Sequence, residues 1–217
     1  MLLEQLRKIV WKCNLELPKN GLVKMTNGNV SGRDRETGWI VIKPSGYSYD
    51  EMMPEHMVVV DMSGRVIEGD QKPSVDTDTH LYVYQHRPDV FGVAHTHSPY
   101  ATSFAVLGQP IPTCMTACAM LGGDVPLGGY AAVGNDAIGQ EIIAKIGHSL
   151  AIIMQNHGVF TIGSSPQQAT KMAVEVEEIA KTTHLAMQLG QPIQLTAEQI
   201  AEIAYMYQNQ YGQKAKS

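Results

Sequence analysis

Short apolar runs punctuate the chain at GWIVIK (38–43), HMVVVD (56–61), RVIEG (65–69), VFGVAHTH (90–97), SLAIIMQNHG (149–158) and VFTIG (159–163), and segments of helical periodicity lie between them. Runs this short, bounded by glycine, proline and asparagine, are strand signals; apolar residues recurring three and four apart mark amphipathic helices. The interleaving restricts the chain to an α/β or mixed fold in which helices cover a central sheet. HMVVVD and RVIEG, separated by Met62-Ser63-Gly64, read as a hairpin. Helices are expected over 2–16, where Leu2, Leu6, Ile9, Val10 and Cys13 form a stripe stopped by Pro18 and Gly21, and over 76–86, 99–107, 135–146 and 166–189. A last helix starts at Thr196, which forms a capping box with Gln199. Residues 26–33, TNGNVSGR, read as a glycine- and asparagine-rich loop.

At 217 residues with 44% hydrophobic content the chain can bury a substantial core, and a single domain over 1–217 is the expectation. Sixteen Lys and Arg against 21 Asp and Glu, with no basic run, argue against a nucleic-acid partner. The N-terminal MLLEQLRKIVWKCNLEL alternates apolar and charged residues, unlike a secretory signal or a membrane span. With three cysteines, Cys13, Cys114 and Cys118, at unpromising spacing, the reading is a cytoplasmic protein with reduced thiols and no membrane partner.

The fourth run, GVAHTHSP, ends in two histidines with one residue between them. Side chains two apart on a strand point the same way, so His95 and His97 converge. A single histidine after a strand is ordinarily structural, but two on one face after a buried run favour a metal ion. The third ligand is expected to be His157 in IIMQNHGVF, again where an apolar strand meets a glycine turn. Three neutral imidazoles leave a tetrahedral ion one open position, as a catalytic zinc requires. Asp76, in KPSVDTDTH, is the carboxylate expected to fill that position until substrate arrives. His80, one helical turn later, is the only other histidine placed to matter.

Residues 26–33 gather hydroxyl, amide and glycine groups, and two Lys-Pro-Ser copies follow at 43–45 and 72–74. Each places a serine in a backbone geometry that proline restricts. Together they read as a phosphate cradle of hydroxyls and backbone amides, with Ser74 two residues before Asp76.

GNVSGRD, VIKPSGY, KPSVDTDTH, HTHSPYAT and QNHG, in this order, resemble the class II sugar-phosphate aldolase and epimerase family, which includes L-fuculose-phosphate aldolase, L-ribulose-5-phosphate 4-epimerase and the non-catalytic adducin head domains. The resemblance implies a three-layer α/β fold with a mixed, largely antiparallel sheet and Zn²⁺ on His95, His97 and His157. It further implies a homotetramer with active sites at subunit interfaces. It assigns phosphate binding to Thr26, Asn29, Ser45, Gly46 and Ser74, acid/base work to Asp76, and a cross-interface catalytic role to Tyr211. The substrate would be a small phosphorylated sugar such as L-fuculose 1-phosphate.

The chain departs from the family pattern at four positions. Val75 replaces a second phosphate-binding serine, and Asp76 stands where the aldolases have glutamate, an epimerase-like choice. Met120 stands where the epimerases carry a further catalytic aspartate, and Thr116 where the aldolases often have tyrosine. Both activities cleave the C3–C4 bond, but epimerisation needs an acid/base group on each side of the aldehyde. A thioether cannot supply one, so the pattern ranks aldolase first and epimerase second.

Overall fold

The computed structural model describes residues 1–210. Its strands are β1 (Asn29–Arg33), β2 (Ile40–Ile42), β3 (Val58–Val60), β4 (Val66–Glu68), β5 (Gly92–Thr96), β6 (Leu127–Gly128), β7 (Ala151–Met154) and β8 (Gly158–Gly163). They form one sheet in the order β4-β3-β2-β1-β5-β8-β7-β6. Every neighbouring pair is antiparallel except β6 and β7. The helices are α1 (Glu4–Lys19), α2 (Thr77–His86), α3 (Pro99–Val106), α4 (Cys118–Leu121), α5 (Ala137–Lys145), α6 (Pro166–Leu189) and α7 (Ala197–Asn209). Among the described residues no helix is long and apolar enough to cross a membrane.

Strand alternation sorts the apolar residues into two faces. Ile40, Ile42, Val58, Val60, Val93, Ile152, Phe160 and Ile162 pack with Leu81 and Val83 of α2 and with Ile138 and Ile142 of α5. Val30, Val41, Val59 and Ala94 point the opposite way, against Val10 and Leu17 of α1 and Ala169 and Ala173 of α6. Ile153 and Val159 continue that second face under α3 and α6. Helices thus cover both faces, giving the three-layer arrangement, and each fully buried aliphatic side chain contributes roughly 1.5–3 kcal/mol.

Three features differ from the sequence expectation. First, residues 29–33 are a central strand rather than loop, paired with β2 on one side and β5 on the other. Its polar residues are buried because they have partners: Asn29 bonds Ser74 and Asp76, and Ser31 bonds His80 and Tyr84. Second, α1 runs through Pro18 to Lys19. A proline in the last turn sacrifices only one hydrogen bond; the helix ends where Gly21, at φ 72°, lets Gly21 N reach Pro18 O and Leu22 N reach Leu17 O. Third, the short β6 and α4 carry too few residues to show a period. The bounds of α6 and the Thr196–Gln199 capping box agree with the sequence reading.

Candidate metal centre

β5 delivers His95 on the α2/α5 side of the sheet and ends at Thr96, so His97 lies just past the strand. β7 and β8 are joined by a tight turn in which Asn156 takes φ 55° and His157 N donates to Met154 O at 3.0 Å. That turn sets His157 beside the other two rings. One nitrogen from each of His95, His97 and His157 lies within 4.8 Å of the others. The Nε2 atoms of His95 and His97 are 3.0 Å apart. The close approach depends on Gly158: a Cβ there would collide with Thr96 O and come within 2.9 Å of the His97 ring.

His95 Nδ1 lies 3.0 Å from Val159 O, which selects the tautomer that donates from Nδ1 and leaves the Nε2 lone pair facing His97. Phe160 stacks on the His95 ring, with centroids 4.2 Å apart. Burial pulls His95 down to about 3 and holds His97 and His157 below the usual histidine range. Neutral imidazoles are what a metal needs. His157 Nδ1 is buried without a hydrogen-bond partner among the described residues. The donor set therefore fits a divalent cation.

Asp76 caps the start of α2 in sequence but makes no side-chain cap bond; its carboxylate turns to the cleft, where Asn29 Nδ2 donates to Oδ2 at 2.7 Å. Burial pushes the carboxyl up, but His95, His80 and the Asn29 amide outweigh it and the net shift is downward. Asn29 Nδ2 also bonds Ser74 Oγ at 3.0 Å, leaving Asn29 Oδ1 buried and without a partner among the described residues.

The two Lys-Pro-Ser copies lie side by side. Pro44 and Pro73 form an antiparallel bridge, with Ser45 N donating to Lys72 O at 2.8 Å and Ser74 N to Lys43 O at 3.1 Å. The amides of both serines, expected from sequence to meet an anion, are spent on this bridge. A cleft of about 370 Å³ joins everything: Thr26, Asn29, Ser45, Gly46 and Ser74 line it together with Asp76, His95, His97 and His157. Thr116 and Met120 do not line this cleft, and Met120 packs against the α3/α6 core. Tyr211 lies outside the described residues.

Sequence reasoning missed two members. Lys43 lines the cleft with its Nζ 3.0 Å from Thr26 O, and burial pulls its ammonium down to about 8 against the pull of Asp76. The repeated Lys-Pro-Ser signalled it, but only the serines were read from that motif. Val133 also lines the cleft, from a loop without periodicity. His80 is fully buried, with Nδ1 2.7 Å from Ser31 Oγ and Nε2 without a partner among the described residues.

Residues 8–184 match the model of the Class II Aldolase and Adducin N-terminal domain. The chain belongs to this family. Its structure resembles that of an L-fuculose 1-phosphate aldolase with a TM-score of 0.90 at 31% identity, covering 94% of this chain and 96% of that one. It also resembles YgbL from Klebsiella pneumoniae, with a TM-score of 0.80 at 29% identity, covering 94% and 99%. The L-fuculose 1-phosphate aldolase from Glaciozyma antarctica PI12 shares the fold at 23% identity and TM-score 0.80, covering 93% and 81%.

Proposed function

We propose that this class II aldolase family member is a metal-dependent lyase that cleaves the C3–C4 bond of a ketose phosphate, such as L-fuculose 1-phosphate, to dihydroxyacetone phosphate and an aldehyde. One observation supports the reading: the imidazoles of His95, His97 and His157 converge in the same cleft that Asp76, Thr26, Ser45 and Ser74 line. His95, His97 and His157 would hold the cation, with zinc the preferred identity. A divalent cation there supplies Lewis acidity toward the substrate's keto and neighbouring hydroxyl oxygens.

The remaining work falls to the chain's own groups. Thr26, Ser45, Gly46 and Ser74 bind the phosphate, and the Lys43 ammonium supplies the counter-charge. In cleavage the C3–C4 bond breaks as the C4 hydroxyl gives up its proton; the ionised Asp76 carboxylate takes that proton and returns it to C3, so none is gained or lost overall. Condensation runs the same transfers in reverse and likewise ends on the ionised form, which the Asn29 amide favours. Tyr211 is assigned to the aldehyde end from a neighbouring subunit, in a cytoplasmic homotetramer with interfacial sites.

The alternative, an L-ribulose-5-phosphate 4-epimerase, is favoured by aspartate rather than glutamate at 76 and disfavoured by methionine at 120. A non-catalytic adducin-like role gives the converging imidazoles no purpose. Incubating the metal-loaded protein with ketose 1- and 5-phosphates and following both dihydroxyacetone phosphate and new stereoisomers separates these readings. Cleavage yields the first product, epimerisation the second, and neither product overturns the assignment.

A further inference from the structure

Glu177 lies on the apolar face of α6, between Val176 and Ile179, and is buried. Its carboxylate grips the start of α3: Tyr100 N donates to Oε1 at 3.0 Å and Ala101 N to Oε2 at 2.9 Å. These are donors that a helix leaves unpaired in its first turn, and Ser98, at the N-cap, makes no cap bond to them. The Ser98 hydroxyl lies on the Glu177 side as well, close enough to favour its ionised carboxylate, and sits 3.3 Å from Thr96 Oγ1. A chain of contacts therefore runs from α6 through Ser98 to Thr96, the residue between His95 and His97.

His97 needs such support more than its neighbours do. β5 ends before it, and among the described residues its backbone N is tied only to Leu22 O, at 3.2 Å. His95 has its second ring nitrogen fixed by Val159 O, whereas among the described residues His97 Nδ1 has no hydrogen bond to the protein. The ring's place thus follows from where its backbone is held. Burying a carboxylate is costly unless donors surround it, and an apolar side chain would pack α6 against α3 without that cost.

We propose that Glu177 is a positioning residue of the metal centre: by fixing the start of α3 it sets His97 against His95 and His157 and so governs how tightly, and in what geometry, a divalent cation is held. The proposal rests on the three-histidine reading and assigns Glu177 no contact with substrate.

Cobalt(II) is the probe, since imidazole accepts it and its visible bands report ligand geometry. Apo protein, checked for folding by circular dichroism, is titrated with Co²⁺ against a competing chelator as wild type, E177Q, S98A, His95→Ala and Asp61→Ala. In E177Q one carboxylate oxygen becomes an amide donor that faces a helix N–H. The expected result is altered bands and a roughly tenfold loss of affinity, the lower end for groups that order metal ligands. S98A keeps the carboxylate and should show a smaller change in the same direction. Asp61→Ala loosens the β3–β4 turn, where the carboxylate accepts from Ser63 N and Arg65 N, with β2 and β1 standing between it and β5, and should bind with wild-type bands. Folded E177Q with wild-type bands and affinity overturns the proposal. If E177Q does not fold, an unchanged S98A overturns it instead, and so does an Asp61→Ala spectrum altered in the same way. His95→Ala that retains the bands overturns the metal reading itself, and the positioning role with it.

Discussion

Asn29 and Asp76, 47 residues apart in sequence, meet through a 2.7 Å hydrogen bond from the amide nitrogen to the carboxylate. β1 supplies one partner and the entry to α2 the other, so the position of the acid/base group depends on a central strand. Asn29→Ala removes a donor to a charged acceptor, an interaction worth about 1.5–3 kcal/mol. The Asp76 carboxyl should rise, because the donor that holds it down is gone. The acid limb of the kcat/KM profile is then expected to move to higher pH, and an unmoved limb would show that Asp76 does not report there.

Removing a ligand and removing the proton-transfer group should separate cleanly. His95→Ala and His157→Ala are expected to fold but to lose most bound metal, as measured by elemental analysis after dialysis. A variant with full metal content removes that histidine from the site. Asp76→Asn should retain the metal and lose turnover by roughly 10²–10⁴-fold, the usual contribution of a placed acid or base.

Lys43 gives the cleft an alkaline limit. Its ammonium is held down to about 8, so the charge is lost as pH rises through that value. KM for a phosphorylated substrate should therefore climb above pH 8 while kcat changes less. Lys43→Met should raise KM at pH 7 by roughly tenfold or more, given about 1.5–3 kcal/mol for a charged hydrogen bond, and should flatten the pH dependence. A steep alkaline rise in the variant would assign the titration elsewhere.

His80 predicts how stability responds to acid. Burial depresses its imidazole from 6.5 to about 4, so between these values the unfolded chain binds more protons and stability falls as pH falls. The loss is about 3 kcal/mol at roughly 1.4 kcal/mol per pH unit. Denaturant unfolding of metal-free protein from pH 7 to 4 should show this, and His80→Gln should make the decline shallower. Equal slopes would place the protonation on other groups. The measurement is made without metal because His95, depressed to about 3, is coupled to metal binding as well.

Local signals made most of the architecture legible. Apolar runs located β2, β3, β5, β7 and β8, and the Thr196–Gln199 pair located the start of α7. The two-residue spacing of His95 and His97 indicated a shared target, although only His95 lies on β5 and the strand ends at Thr96. β1 was hidden because its polarity, ordinarily a mark of solvent, is matched by partners on α2 and on the Ser74–Asp76 segment. Glu177 was equally hidden: in AVEVEEIAK it reads as one of three glutamates on a solvated helix face, and only the folded chain shows it reaching α3. The side-by-side Lys-Pro-Ser copies were visible as a repeat, but nothing local says that they pair.

The pairing also decides what can join the rim of the cleft. Its bonds run between the flanking residues, Ser45 N to Lys72 O and Ser74 N to Lys43 O, so the backbone nitrogens of Pro44 and Pro73 face away from each other, toward the outer edges of the bridge. Proline has no N–H to offer there, so the bridge staples two loops together while giving a further strand no donor at either proline. A substitution that restored an amide at 44 or 73 would leave the staple in place and hand that outer edge a donor.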